Sequence, residues 1–237
     1  GHLVASGRRD LTGLLGTLEP SIQYIFEQLG KDFLGPGDVA LVNCPHEAGT
    51  HMNDVKAVKP VYWENELVGY VANVGHWTDV GGGSPGSINP LAQDSFGEGL
   101  RITPVKIIEG DKIRQDVLNL VLGNVRIPYE TNGDIYAQIK GCDAGEARLH
   151  ELLGKYGSNV ILEGYSRVQK YAADIFQHEL EQIQDGEAEW TDYIDIDPLL
   201  PEAGPVKIHL RLIKKGNSII FDFTETDAQP NAGVGSP

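Results

Sequence analysis

Two short stretches of this chain hold the residue types that do chemistry, Thr50-His51-Met52-Asn53-Asp54 and Gly75-His76-Trp77-Thr78-Asp79. Two imidazoles and a carboxylate brought to one place make a three-ligand set that Zn, Mn or Fe accepts. Such a set leaves positions open for water or substrate. His51, Asp54 and His76 are therefore the candidate metal ligands. The alternative reading of the same residues is two surface histidines beside a turn, with Asp54 capping a loop. Asp79 and His46 are the catalytic candidates next to them. Asp79 either orients His76 or adds a fourth ligand, unless it forms an Asx turn at the glycine run that follows. Cys44 could act as a nucleophile with His46 or His51 as its base, against the commoner fate of a buried thiol as inert packing. The run Gly81-Gly82-Gly83-Ser84-Pro85-Gly86 has N–H groups that could cradle an anion, but it lacks the G-x-x-x-x-G-K-[ST] pattern of a phosphate loop.

These ligands are far apart in sequence, so an element has to join them. Val55 to Trp63 and Glu66 to Val74 read as strands, with Glu64-Asn65 as a tight turn. Paired as an antiparallel hairpin about that turn, residues whose numbers sum to about 129 face each other, which sets Asp54 opposite Gly75 and beside His76. Before the hairpin, Pro20 to Gly30 reads as a short helix with Ile22, Ile25, Phe26 and Leu29 on one side. Val39 to Val42 reads as a buried strand. After it, helices are expected over Asp111–Leu122, Ala144–Tyr156 and Ser158–Gln184. The acidic run Glu187, Glu189, Asp192, Asp195 and Asp197 reads as a solvated loop, with partner binding as the alternative. Val206–Leu212 and Ile219–Phe223 alternate about Lys215-Gly216-Asn217 as a second hairpin. Strands, then helices, then strands predict an α+β class, with mixed sheets and hairpins around the site and long helices in the second half. The expected divisions are a metal-binding core over 1–140, a helical segment over 141–200 and the start of a β-rich region over 201–237.

The bulk numbers narrow the function. The chain has 237 residues, 34 acidic against 19 basic, for a net charge of -15. Such a surface repels phosphate backbones and anionic lipids, so neither nucleic acid nor membrane is expected as a partner. No apolar run approaches the roughly 20 residues of a membrane span. Two cysteines outside any C-x-x-C pair point to free thiols in a reducing, cytoplasmic setting. The only Met is Met52, and the chain is read as a piece of a longer polypeptide.

Through these and further motifs the sequence resembles the hydantoinase B/oxoprolinase family. The likeness runs through Gly35-Pro36-Gly37-Asp38-Val39, Gly49-Thr50-His51-Met52-Asn53-Asp54-Val55, Leu67-Val68-Gly69-Tyr70-Val71-Ala72-Asn73, Gly75-His76 and Asp79-Val80-Gly81-Gly82. It continues through Pro85-Gly86-Ser87, Glu98-Gly99-Leu100-Arg101-Ile102, Pro104-Val105-Lys106, Asn124-Val125-Arg126, Gly133-Asp134, Ala137-Gln138 and Asp222-Phe223-Thr224. The family often reads Asn-Asp-Pro-Tyr where this chain has Asn43-Cys44-Pro45-His46, and many members carry a second His where it has Trp77. The resemblance implies a fragment of a larger metal-binding subunit, with His51, Asp54 and His76 as ligands of a divalent Zn, Mn or Fe ion. It implies a hetero-oligomer with a hydantoinase A-type ATPase subunit, on which ATP and its Mg would bind. It also implies a small-molecule reaction, the ATP-dependent opening of a cyclic amide such as a hydantoin, 5-oxoproline or a lactam. Carboxylation of a ketone such as acetone or acetophenone is the alternative, and a scaffold subunit without catalysis is a third.

Overall fold

The structure is a computed structural model and describes residues 2–7 and 11–232. After a short helix α1 (Thr12–Leu15) comes α2 (Leu18–Leu29), ended by Gly30 in the left-handed region at φ 84. Strand β1 (Val39–Val42), a one-turn helix α3 (Pro45–Ala48) and the long strands β2 (Asp54–Trp63) and β3 (Glu66–His76) follow. A short helix α4 (Ser95–Glu98) precedes β4 (Val105–Glu109) and β5 (Lys112–Ile113). Then come helices α5 (Gln115–Leu122), α6 (Pro128–Tyr156) and α7 (Ser158–Glu181). Three strands end the described chain: β6 (Gly186–Ile194), β7 (Val206–Lys215) and β8 (Ser218–Asp222), with a 3-10 turn at Pro201–Ala203.

The first five strands form one antiparallel sheet in the order β3-β2-β1-β4-β5. Both of its faces are covered, which is why β1 reads as an unbroken apolar run and is buried at every residue. Because side chains alternate along a strand, Val39 and Leu41 go to one side and Ala40 and Val42 to the other. The first side packs with Val55 and Ala57 of β2, with Val117, Leu118 and Val121 of α5, and with Ile135, Ile139 and Cys142 of α6. The second packs with Val58 of β2, Ile22 and Ile25 of α2 and Ala48 of α3. Lys59, on the α6 side, is fastened to that helix by Asp143 at 2.7 Å and Glu146 at 2.6 Å. Burial works to lower its pKa, but the two carboxylates outweigh that and raise it.

The hairpin of β2 and β3 differs from the expected register in a way that matters. Glu64 and Asn65 both have positive φ, 51 and 68, as a type I′ turn requires. Next to the turn, Trp63 pairs with Glu66 and Tyr62 with Leu67, as a sum of 129 demands. Then the register shifts, Val61 pairs with Gly69, and Val68 is left as an extra residue on β3. From this bulge onward the sum is 130, and Asp54 pairs with His76 rather than Gly75.

Two further expectations change. Asp111–Arg114 does not open a helix. Gly110 and Asp111, at φ 53 and 64, turn β4 into β5, and the helix starts at Gln115. The acidic run after α7 is not a loop over its first part, because β6 pairs with β7 along its whole length. Its alternation of Glu187 and Glu189 with Ala188 and Trp190 is a strand period.

The chain divides into two compact units. The first runs to Glu163, and the second starts at Gly164 and takes in Pro90–Asp94. The division expected at 140/141 falls inside α6, which stays with the first unit because it packs on β2 and β3. The second unit holds the sheet β6-β7-β8.

Candidate metal centre

Asp54 is the first residue of β2 and His76 the last of β3, so the hairpin returns one to the other. Residues paired across a sheet project to the same face, and a one-residue slip would have turned His76 to the opposite face from Asp54. The bulge at Val68 therefore sets the side on which His76 stands. His51 comes from the loop between α3 and β2. One potential ligand atom from each of His51, Asp54 and His76 lies within 4.8 Å of the others. The two imidazole rings meet edge to face at 5.0 Å between centroids.

The carboxylate of Asp54 lies at the bottom of this set. Its side chain is 0% exposed, against 47% for His51. Oδ2 accepts a hydrogen bond from Thr50 Oγ1 and lies 2.7 Å from His51 Nδ1. Oδ1 is buried with no hydrogen-bond partner among the described residues. A desolvated carboxylate oxygen left without a partner costs about 1–3 kcal/mol or more, a cost that an ion or a hydrogen-bond donor at that atom would relieve. A divalent cation fits: the donors are one hard oxygen and two borderline nitrogens, and both imidazoles are exposed on the outer side.

Three amides that spacing arguments passed over hold the ligand segments in place. Asn43 donates to the carbonyls of Met52 (2.7 Å) and Leu100 (2.9 Å) and accepts from Ile102 N at 2.6 Å. Asn53 donates to Trp77 O at 2.8 Å, while its own carbonyl accepts from Trp77 N at 2.9 Å. Gln138, from α6, accepts from the buried Trp77 Nε1 at 2.8 Å and donates to Val55 O at 2.8 Å. A Cβ at Gly75 would lie 2.9 Å from the Gln138 side chain. The neighbours of His76 on both sides are thus pinned from behind the sheet. The sequence signal was an amide in an otherwise apolar pattern, which is weak.

The remaining candidates are placed as follows. Asp79 takes hydrogen bonds from Gly81 N (2.8 Å), Gly86 N (2.9 Å) and Arg126 N (3.1 Å), and from Arg126 Nη1 at 3.0 Å. Burial would raise its pKa, but these donors together hold the carboxyl below the usual range. The Gly81 and Gly86 N–H groups are thereby spoken for, and Arg126 also donates to the carbonyls of Gly81, Gly82 and Ser84. Asp79 organises the glycine loop in the manner of an Asx turn, and none of the contacts described for it is to His76. His46 is exposed on α3. Cys44 is buried, with its thiol 3.5 Å from Ile102 O and 3.4 Å from Arg101 Nε. Both cysteines are free, and burial pushes the Cys142 thiol up to about 12. Lys56, on the same face of β2 as Asp54, is fully buried and its Nζ has no hydrogen-bond partner among the described residues. Burial brings its pKa down to about 8, opposed by the charge of Asp54.

The family model described as Hydantoinase B/oxoprolinase matches residues 1–237. The subunit beta of a caprolactamase from Pseudomonas jessenii is 36% identical over 178 residues, 75% of this chain and 30% of that one. The crystal structure of the ATP-dependent caprolactamase from the same organism superposes with a TM-score of 0.82 at 30% identity, covering 92% of this chain and 37% of that chain. A nucleotide-free acetone carboxylase structure has a TM-score of 0.83 at 21% identity, covering 92% and 30%, and shows likeness of fold alone. The chain spans well under half the length of the curated relatives it matches, for example 38%, 30% and 18% of three of them.

Proposed function

The chain belongs to the hydantoinase B/oxoprolinase family, and from that membership we propose that it is the metal-holding part of an ATP-dependent enzyme that opens a cyclic amide. The substrate class is a hydantoin, 5-oxoproline or a lactam, activated on its amide oxygen by phosphorylation on a partner ATPase subunit. The observation that carries this reading is the convergence of His51, Asp54 and His76 around a buried carboxylate oxygen without a partner. The amide substrate is favoured over a ketone because the relative at 36% identity is a caprolactamase subunit, whereas the acetone carboxylase likeness rests on fold.

Zn, Mn or Fe are the ions the donor set suits, and such an ion would serve as a Lewis acid for a carbonyl or phosphoryl oxygen and lower the pKa of a water. The protein's own work is positional. Asp54 supplies the one negative charge, held by strand pairing and by Thr50. His51 and His76 supply neutral nitrogens on the open side. The glycine loop, fixed by Asp79 and Arg126, is tied to the segment between His51 and Asp54 through Asn53, which donates to Gly86 O at 3.3 Å. His46, exposed on the helix just before the ligand loop, is assigned the proton-carrying role. ATP and its Mg are assigned to the partner, in keeping with the absence of a phosphate-loop motif in this sequence. The two free thiols suit a reducing, cytoplasmic compartment. Among the described residues, no helix is long and apolar enough to cross a membrane.

Metal content and turnover test this together. Wild-type protein should hold about one equivalent of Zn, Mn or Fe, and His76→Ala should hold none. With the ATPase partner, ATP should drive release of the ring-opened acid. A product that forms only with bicarbonate and a ketone would replace the amide reading with carboxylation. No metal and no turnover in wild type would leave the scaffold reading.

A further inference from the structure

Lys56 is unusual among the described lysines because it is buried and its Nζ has no hydrogen-bond partner among the described residues. It is 0% exposed, and its Nζ is one of the buried side-chain atoms without a hydrogen-bond partner; Asp54 Oδ1 is another. The two residues are two apart on β2, so they share a face of the sheet, about 7 Å apart along the strand. The ammonium lies against the backbone of the loop that carries His51: a Cβ at position 49 would fall 2.3 Å from Nζ, so only glycine leaves it room.

With neutral imidazoles, Asp54 and Lys56 sum to zero charge in a region stripped of water. A divalent ion entering at Asp54 meets the same ammonium as a like charge, and in such surroundings that repulsion is weakly screened. We propose that Lys56 is a built-in counter-ion for Asp54: it keeps the ligand carboxylate compensated while the site is without metal and opposes the metal when it enters. This rests on the metal reading of His51, Asp54 and His76. A purely structural lysine would change stability on removal and leave metal affinity no better. A counter-ion makes the opposite demand, since its removal leaves the carboxylate free for the metal alone.

The test uses the purified chain, with Zn2+ and Mn2+ alone titrated against a chelating indicator, and melting temperature recorded with and without each ion. Lys56→Met is the main variant. Its affinity for the ion should rise by about tenfold or more. Its melting temperature should fall without metal and recover with it, so the metal-induced shift exceeds that of wild type. Lys56→Gln, uncharged but polar, should behave alike. Unchanged or weaker binding in a folded Lys56→Met overturns the proposal while leaving the metal site in place. Failure of both variants to fold even with metal also overturns it, because the filled site would then need the ammonium too. If neither wild type nor Lys56→Met takes up either ion, this inference and the metal reading fall together.

Discussion

At the level of single residues, the site separates side chains that meet the proposed ion from those that hold the frame. Asp54 is the only buried member of the ligand set, and its Oδ1 has no other partner among the described residues. Asp54→Asn should therefore abolish high-affinity metal binding with the hairpin intact, checked by metal analysis beside circular dichroism. His46→Gln should keep the metal and lose kcat by about 10²-fold or more, as the loss of an acid–base group does. An unchanged kcat would remove His46 from the mechanism. Asp79 belongs with the frame. Asp79→Ala leaves the Gly81, Gly86 and Arg126 N–H groups without their acceptor and should cost about 2–3 kcal/mol in urea unfolding. Its carboxyl is held below the ordinary value of about 3.9, so the stability it contributes is present above that value and is lost as pH falls through the lower folded value. The gap between wild type and variant should accordingly close in acid and stay open at neutral pH.

The decisive element is the β2–β3 hairpin. Its turn fixes a register of 129, and the extra Val68 converts that to 130 before the strand reaches the site. Val68 is itself buried, packed with Val61 and Leu153, so the bulge is held by α6 rather than free to slide. Deleting Val68 should close the bulge with Val61 still opposite Gly69 and Asp54 still opposite His76, so metal retention should stay at the wild-type level. One alanine inserted after Val71 should instead set Gly75 opposite Asp54 and turn His76 to the other face, so that metal retention falls to the level of His76→Ala although neither residue has been touched. Full retention in the insertion variant would show that the register does not set the face. Gln138 works on the same strand end from behind, through Trp77 and Gly75. Such support from a helix across the sheet fixes the strand end that carries His76.

For the molecule as a whole, the charge of -15 and the exposed apolar surface of the second unit bear on association. The sheet β6-β7-β8 has one polar face, with Glu187, Glu189 and Arg211, and one apolar face, with Trp190, Leu210, Leu212 and Phe221. Trp190 is 72% exposed and Phe221 56%, and apolar side chains exposed together on one face are a mark of interaction surfaces. We expect the full-length protein to act within a hetero-oligomer with its ATPase partner, with an interface above about 1,000 Å². Native mass measurement on the co-expressed subunits should show that complex, and a stable, fully active monomer would count against it.

The sequence by itself carried the proposed ligand residues, the hairpin and much of the helix–strand order, because these rest on local signals. A type I′ turn needs two residues that accept positive φ, strands alternate, and His-x-x-Asp and Gly-His keep their letters wherever they fold. It also carried the family, through motifs spread along the chain. What only the tertiary structure decided was phase and partnership. A bulge leaves no mark in an alternation count, since one extra valine looks like any other apolar residue, yet it chose the face on which His76 stands. Strand β6 passed for a loop because its acidic residues dominate composition, and only pairing with β7 made its period visible. Asp79 and Lys56 are charged letters in the sequence. Burial and the geometry of their neighbours made one a loop clamp and left the other without a hydrogen-bond partner among the described residues, two positions along β2 from Asp54.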